Sequence, residues 1–222
     1  TCWLMKKLLS YLVPLKGKVY KSEINGQLEL NWYEGKLMLD SKNANYSYGA
    51  LQRALAVGLH GIGNNEIKQS KKILILGMGA GCVIETLRND FENDAEITAV
   101  EIDPVVVDIA KKYFDVNRFS KLKIVQDDAF AFIKKNKEIF DLIIVDLFID
   151  KETPAQFSSE EFLENVVKAS KTKGNILFNT VNVRGKFSAR NNEMISFFEK
   201  NGSVKVLKGV EGGNDLLLIN VN

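Results

Sequence analysis

The sequence predicts an α/β protein: a doubly wound, mostly parallel seven-stranded sheet with an antiparallel last strand, preceded by a small N-terminal β-meander. Three observations predict it. From Lys71 onward, short runs of Ile, Leu and Val alternate with segments of helical periodicity, the texture of βαβ units with right-handed crossovers. Those runs lack polar alternation, as strands covered on both faces do. The last two strands are joined only by a glycine-rich turn, too short for a crossover helix, so they must pair antiparallel.

Composition bounds the rest. At roughly 100–200 residues per domain, 222 residues make one domain, or one with a small appendage. Lys and Arg total 30 against 28 Asp and Glu, and a net charge of +2 excludes a nucleic-acid binder that relies on bulk charge. Cys2 and Cys82 lie too far apart in sequence to suggest a disulfide framework, which fits a reducing compartment and a cytoplasmic location. His60 is the lone histidine, which removes His-cluster metal sites and most Ser-His or Cys-His catalysis. No metal is expected, and chemistry falls to carboxylates, backbone and hydroxyls. No apolar stretch is long enough to span a membrane.

Taken in order, Lys6-Lys7 and the leucines after them mimic a weak signal peptide, but no small-residue cleavage site follows. Trp3, Leu4, Leu8, Leu9 and Leu12 fit an amphipathic helix packing on a body or partner. Lys18 to Glu23, Gln27 to Tyr33 and Lys36 to Leu39 read as three strands, with tight turns at Asn25-Gly26 and Glu34-Gly35. In the second, Leu28, Leu30 and Trp32 share one face. Asn45 to Ser47 are expected to open a helix through about Leu59, with Leu51, Leu55 and Leu59 in register and Gly61 and Gly63 ending it. The chain divides at about residue 50 into an N-terminal helix and meander (1–50) and an α/β unit (51–222). Strands are expected at Ile73 to Leu76, Glu96 to Glu101, Leu122 to Gln126, Leu142 to Leu147, Asn175 to Asn179, Val204 to Leu207 and Leu216 to Val221. Helices fall at Cys82 to Asn89, Val105 to Phe114, Ala129 to Lys135, Glu160 to Ala169 and Ala189 to Lys200.

The strongest motif is Gly77-Met78-Gly79-Ala80-Gly81, directly after the first buried strand. Glycines there allow a sharp turn and a close approach of backbone to ligand, although a tight structural turn needs the same residues. A dinucleotide fingerprint would need glycine where Cys82 stands, which disfavours a nicotinamide-dependent oxidoreductase. Glu101 closes the second strand, about 20 residues beyond the loop, where an acid can accept both hydroxyls of a ribose. Asp103 precedes Pro104 as a helix N-cap. Asp127 and Asp128 end the third strand; one can take a purine amino group and the other can cap the next helix. Asp146 ends the fourth, where an unpaired carboxylate is costly and therefore a functional candidate. All these acids lie on the face that open α/β sheets use for ligands, and the joint pattern is more specific than any member.

These runs, Ile73 to Gly81, Val100 to Pro104, Gln126 to Ala129 and Phe140 to Asp146, resemble the spermidine synthase-like (polyamine synthase) family, whose fold is that of class I methyltransferases. The meander ending Leu37-Met38-Leu39-Asp40 resembles that family's small N-terminal β-domain. The resemblance implies a pocket for S-adenosylmethionine, its decarboxylated form or methylthioadenosine. It places Gly77, Gly79 and Gly81 around the sulfonium and its chain, Glu101 and Ile102 at the ribose, and Asp127 with Asp128 near adenine. Asp146 would touch the donor and also orient and deprotonate an attacking amine.

Departures mark the amine side. Ala80 stands where polyamine synthases carry Asp, Asp146-Leu147-Phe148-Ile149-Asp150 replaces a run with two acids, and Gly49, Ala50 and Leu51 lack the acid expected near Tyr48. Those acids neutralise a dicationic amine, so spermidine synthesis itself is not implied. The expected activity is transfer of an aminopropyl or methyl group to a small acceptor, an amine among them, with Asp146 as general base. Tyr46 and Tyr48 are either substrate-positioning hydroxyls or core aromatics. The alternative is a nucleoside-binding module without turnover. Neither nucleic acid nor membrane is expected as partner, and the apolar N-terminal helix and exposed meander invite a homodimer.

Overall fold

The computed structural model describes residues 2–41, 45–148, 153–182, 185 and 187–222. An N-terminal helix α1 (Cys2–Leu9) leads into a four-stranded antiparallel sheet, β1 (Leu15–Ser22), β2 (Gly26–Tyr33), β3 (Lys36–Ser41) and β4 (Asn45–Ser47), in the order β1-β2-β3-β4. Helices α2 (Gly49–Ile62) and α3 (Asn64–Gln69) follow. The main sheet then alternates with helices: β5 (Lys72–Leu76), α4 (Cys82–Asn89), β6 (Glu96–Glu101), α5 (Pro104–Tyr113), β7 (Leu122–Gln126), α6 (Ala129–Lys135), β8 (Phe140–Val145), α7 (Glu160–Ala169) and β9 (Ser170–Val181). It closes with α8 (Ser188–Glu199), β10 (Gly202–Val210) and β11 (Asn214–Val221).

The seven strands run in the order β10-β11-β9-β8-β5-β6-β7. The last strand, β11, is antiparallel to both its neighbours, β9 and β10. It enters the sheet between them rather than at its edge. Residues alternate strictly between two cores. Ile73 and Ile75 of β5, Leu142 and Ile144 of β8, and Leu216 and Leu218 of β11 face α2, α4 and α5. Leu74, Leu76, Ile143, Val145, Leu217 and Ile219 face α6, α7 and α8. That double burial explains why the strands show no polar face.

Three sequence expectations change. Asn45 to Ser47 do not open a helix; they form β4, which pairs with β3 and adds a fourth strand to the meander. Tyr48 at φ 70° and Gly49 at φ 56° break the chain between strand and helix, because two successive left-handed residues cannot continue either. Gly61 does not end α2, which runs to Ile62, and Gly63 takes the C-cap at φ 137°. The N-terminal helix forms, but its apolar residues stay uncovered: Leu4, Leu8 and Leu12 are 66%, 61% and 81% exposed. Its attachment is polar instead. Buried Ser10 accepts the Gly35 N–H on its Oγ and the Glu34 N–H on its carbonyl oxygen. Among the described residues no helix is long and apolar enough to cross a membrane.

The meander is fastened to the main sheet through Asp103. Its Oδ1 accepts the Val105 N–H and caps α5, as the sequence predicts, while Oδ2 accepts Ser22 Oγ–H of β1 and the Asn25 amide at 2.6 Å. Replacing Asp103 by Ala removes the cap bond and the two bonds to the meander at one stroke. The expected cost is about 1–3 kcal/mol of unfolding free energy, read from the denaturant midpoint at unchanged slope.

Candidate functional site

The strand order reverses between β5 and β8, since the chain winds outward through β6 and β7 and then returns to the other side. Ligand crevices of open α/β sheets form at that point. Here a cavity of about 720 Å³ runs along the strand ends from β7 to β11. Gly77, Gly79, Glu101, Ile102, Asp127, Asp128 and Asp146 all line it. Two of the expected site residues do not. Gly81 lies behind the loop at the N-cap of α4, where a Cβ would meet Val116 at 3.0 Å. Tyr48 is turned away from the cavity: its ring stacks on Phe114 at 4.6 Å and its hydroxyl donates to Glu85 at 2.8 Å. The other tyrosine of the pair, Tyr46, lines the cavity instead.

The glycine loop turns because its residues have to. The Asp146 N–H donates to the Leu76 carbonyl at 2.8 Å, drawing the ends of β5 and β8 together. Gly77 sits at φ 89°, and a Cβ there would stand 2.1 Å from the Asp146 carbonyl oxygen. Gly77→Ala should therefore destabilise the fold by on the order of 1–3 kcal/mol, measurable as a lowered thermal midpoint. Gly79, at φ 55°, turns its N–H to Glu101 Oε2 at 2.9 Å. Ala80 donates to Ser47 Oγ at 3.1 Å, so β4 of the meander holds the loop from behind. The role of Ser47 was invisible while its segment read as helix.

Glu101 is buried at 4% exposure. Burial pushes its carboxyl up to about 7, although the Asp103 and Gly79 N–H groups favour the charged form. Asp146 opens onto the cavity and is likewise pushed up to about 7 by withdrawal from water, opposed by the Asn179 amide. That amide donates to Asp146 Oδ1 at 2.9 Å, while Asn179 Oδ1 is buried without a partner among the described residues. Asn179 was not singled out from the sequence. An Asn directly after the apolar Ile176-Leu177-Phe178 run was the available signal. Tyr46 has its hydroxyl raised well above the ordinary value, first by burial and then by the Glu101 charge.

Asp127 is held below the usual carboxylate range by the Lys135 ammonium at 2.6 Å. Asp128 caps α6 by accepting the Ala131 N–H at 2.8 Å. Ile102 is 42% exposed on the cavity wall, an apolar side chain left uncovered beside Glu101. Asp150 lies outside the described residues. Among those described, no group of three or more His, Cys, Asp or Glu is placed to hold a metal ion.

A nucleoside with a sulfur-bearing chain fits this donor set on three counts. The buried Glu101 carboxylate reaches the cavity, the glycine backbone beside it carries no side chain, and Ile102 offers a flat apolar flank.

Comparison with known proteins agrees with the geometry. A polyamine aminopropyltransferase of Sulfurisphaera tokodaii is 41% identical over 113 residues, 47% of this chain and 37% of that protein. This chain thus spans well under half the length of that relative. The crystal structure of a probable spermidine synthase from Corynebacterium glutamicum superposes with a TM-score of 0.68 at 21% identity, covering 92% of this chain and 80% of that one. Human methyltransferase-like protein 13 in complex with SAH superposes at 0.66 and 20% identity, covering 79% and 83%. These two likenesses show the fold. Residues 56–206 match the spermine/spermidine synthase domain, and that span takes in the glycine loop, Glu101, Asp127 and Asp146 together. By that match the chain belongs to the spermine/spermidine synthase family.

Proposed function

We propose that the protein is a transferase that moves an alkyl group, aminopropyl or methyl, from an adenosyl sulfonium to an amine. The observation that carries this reading is Asp146: a carboxylate at the switch point, withdrawn from water, bonded among the described residues to the Asn179 amide and facing the same cavity as Glu101. When bound, the sulfonium nucleoside supplies an electrophilic carbon and a neutral thioether leaving group.

The chain's own residues supply position and a base. Glu101 accepts the ribose hydroxyls, Ile102 packs against the nucleoside, and Asp127 at the end of β7 meets the adenine edge. Gly77 and Gly79 let the donor chain lie against the backbone. Asp146 holds the attacking nitrogen and takes its proton, and a carboxyl that titrates near 7 is matched to that exchange. Asn179 fixes the carboxylate by occupying one of its oxygens. In this reading Tyr46, which lines the cavity, rather than Tyr48 orients the acceptor.

The test offers S-adenosylmethionine and its decarboxylated form, separately, with a panel of amines and follows the alkylated product by mass spectrometry. Product from either donor supports the reading. Tight binding of methylthioadenosine with no product from any amine or hydroxylated acceptor would make the chain a nucleoside-binding module.

A further inference from the structure

We propose that α1 and the turn after it form a peripheral docking surface for a lipid bilayer with anionic headgroups. Among the described residues none from this surface lines the cavity, and the transferase reading is independent of it. The expectation of no membrane partner follows from the lack of a spanning run, and a helix lying in the lipid interface needs none.

At about 100° per residue, Leu4, Met5, Leu8 and Leu9 share an arc of about 140° on α1, and all four are exposed. Lys7 stands about 60° beyond one edge of that arc and Lys6 about 60° beyond the other. Lysine stems can then lie along the apolar strip with their ammonium groups at its two rims. Tyr11, Leu12 and Val13 continue the exposed apolar surface through the turn. The Ser10, Tyr11, Leu12 and Val13 N–H groups donate to the Lys6, Leu8 and Leu9 carbonyls at 2.9–3.3 Å, so the turn brings no unpaired donor into the interface.

The joint with the meander fixes this face outward. Ser10 holds the Gly35 and Glu34 N–H groups at 2.9 and 3.0 Å, and the Tyr11 ring lies so close over Gly35 that a Cβ there would meet it at 2.3 Å. Charge names the occupant. From Cys2 to Ser22 the chain has five lysines and no acid. Exposed Lys16 follows the turn and exposed Lys36 adjoins Gly35, with Glu34 the one acid beside them. A second copy of this chain is disfavoured, since a two-fold interface on this patch would set lysines against lysines. An anionic bilayer instead takes the apolar arc into its acyl boundary while its headgroups meet the lysines. Either attraction alone is weak, and together they give a reversible attachment.

The experiment floats the full chain with vesicles of phosphatidylcholine alone and of phosphatidylcholine with an equal part of phosphatidylglycerol. The expected result is binding at least about tenfold tighter to the anionic vesicles, weakened as salt is raised. Leu8→Glu with Leu12→Glu should cut that affinity at least about tenfold at an unchanged thermal midpoint, because both side chains are exposed in the folded protein. Lys7→Glu with Lys16→Glu should reduce the preference for anionic vesicles and also leave the midpoint in place. Light scattering on the unmodified protein and the leucine variant tests the other occupant. Absence of vesicle binding overturns the proposal, and a dimer that the two glutamates break would then assign the face to a second copy. Binding that ignores headgroup charge, or that survives the leucine substitutions, overturns it as well.

Discussion

Asp146→Asn is expected to slow amine alkylation by a factor of about 10²–10⁴, the usual contribution of a positioned general base, while nucleoside affinity changes by less than about threefold. The substitution keeps the size of the side chain, and an amide oxygen can still accept the 2.9 Å bond from Asn179. What it removes is the proton acceptor. The pH profile supplies a second readout. With its carboxyl pushed up to about 7, Asp146 is protonated at lower pH and cannot accept a proton, so the rate should rise with pH through about 7 and then level off. A rate unchanged by the substitution would place the base elsewhere. A parallel loss of nucleoside binding would make Asp146 part of the donor site instead.

The second large effect belongs to Glu101. Glu101→Ala should weaken methylthioadenosine binding by about 1–3 kcal/mol, the range for hydrogen bonds to a charged acceptor, with calorimetry as the measurement. Unchanged affinity would remove Glu101 from the site. Affinity should also fall as pH drops through about 7, where the buried carboxyl takes up a proton and one of its oxygens ceases to accept. Stability of the ligand-free protein runs the other way. A carboxyl whose folded pKa is raised from the ordinary 4.5 to about 7 binds more protons folded than unfolded between those values. Stability contributed by this group is therefore greatest below about pH 4.5 and declines until pH 7, by on the order of 3 kcal/mol at most. In Glu101→Gln the decline between pH 5 and pH 7.5 should become shallower in urea titrations, with Asp146 left to titrate in the same window. A wild-type slope in the variant would show that another group titrates there.

The two carboxylates thus set up opposite demands. In the proposed reaction ligand binding needs Glu101 ionised and chemistry needs Asp146 ionised, while the empty fold is better off with both neutral. A ribose donating to Glu101 and an ammonium donating to Asp146 would each replace the solvation that burial took away. The stability cost falls on the two strand ends that carry Glu101 and Asp146.

Much of this was legible in order along the chain. Apolar runs of Ile, Leu and Val gave away β5, β6, β8 and β9 because burial on both faces leaves no room for polar alternation. Asp103 before Pro104 announced its cap, and the Asp127-Asp128 pair announced that one of the two would cap α6, because capping is settled within four residues. The segment around Tyr48 was not legible. A left-handed tyrosine is rare, and its stacking on Phe114 and its bond to Glu85 help hold it there. That geometry converts a helix start into a strand and sends Tyr46 rather than Tyr48 into the cavity. Asn179 was missed for a related reason: its partner stands 33 positions away, on the neighbouring strand.

By itself the sequence determined the layer architecture, the antiparallel last strand and which acids end which strands, since periodicity and turn length act over a few residues. Tertiary structure decided that β11 inserts between β9 and β10, that Ser47 braces the glycine loop, and that Asn179 meets the Asp146 carboxylate at the cavity. Whether a charge is free or neutralised depends on side chains brought together from distant parts of the chain. Such pairings have no local signature.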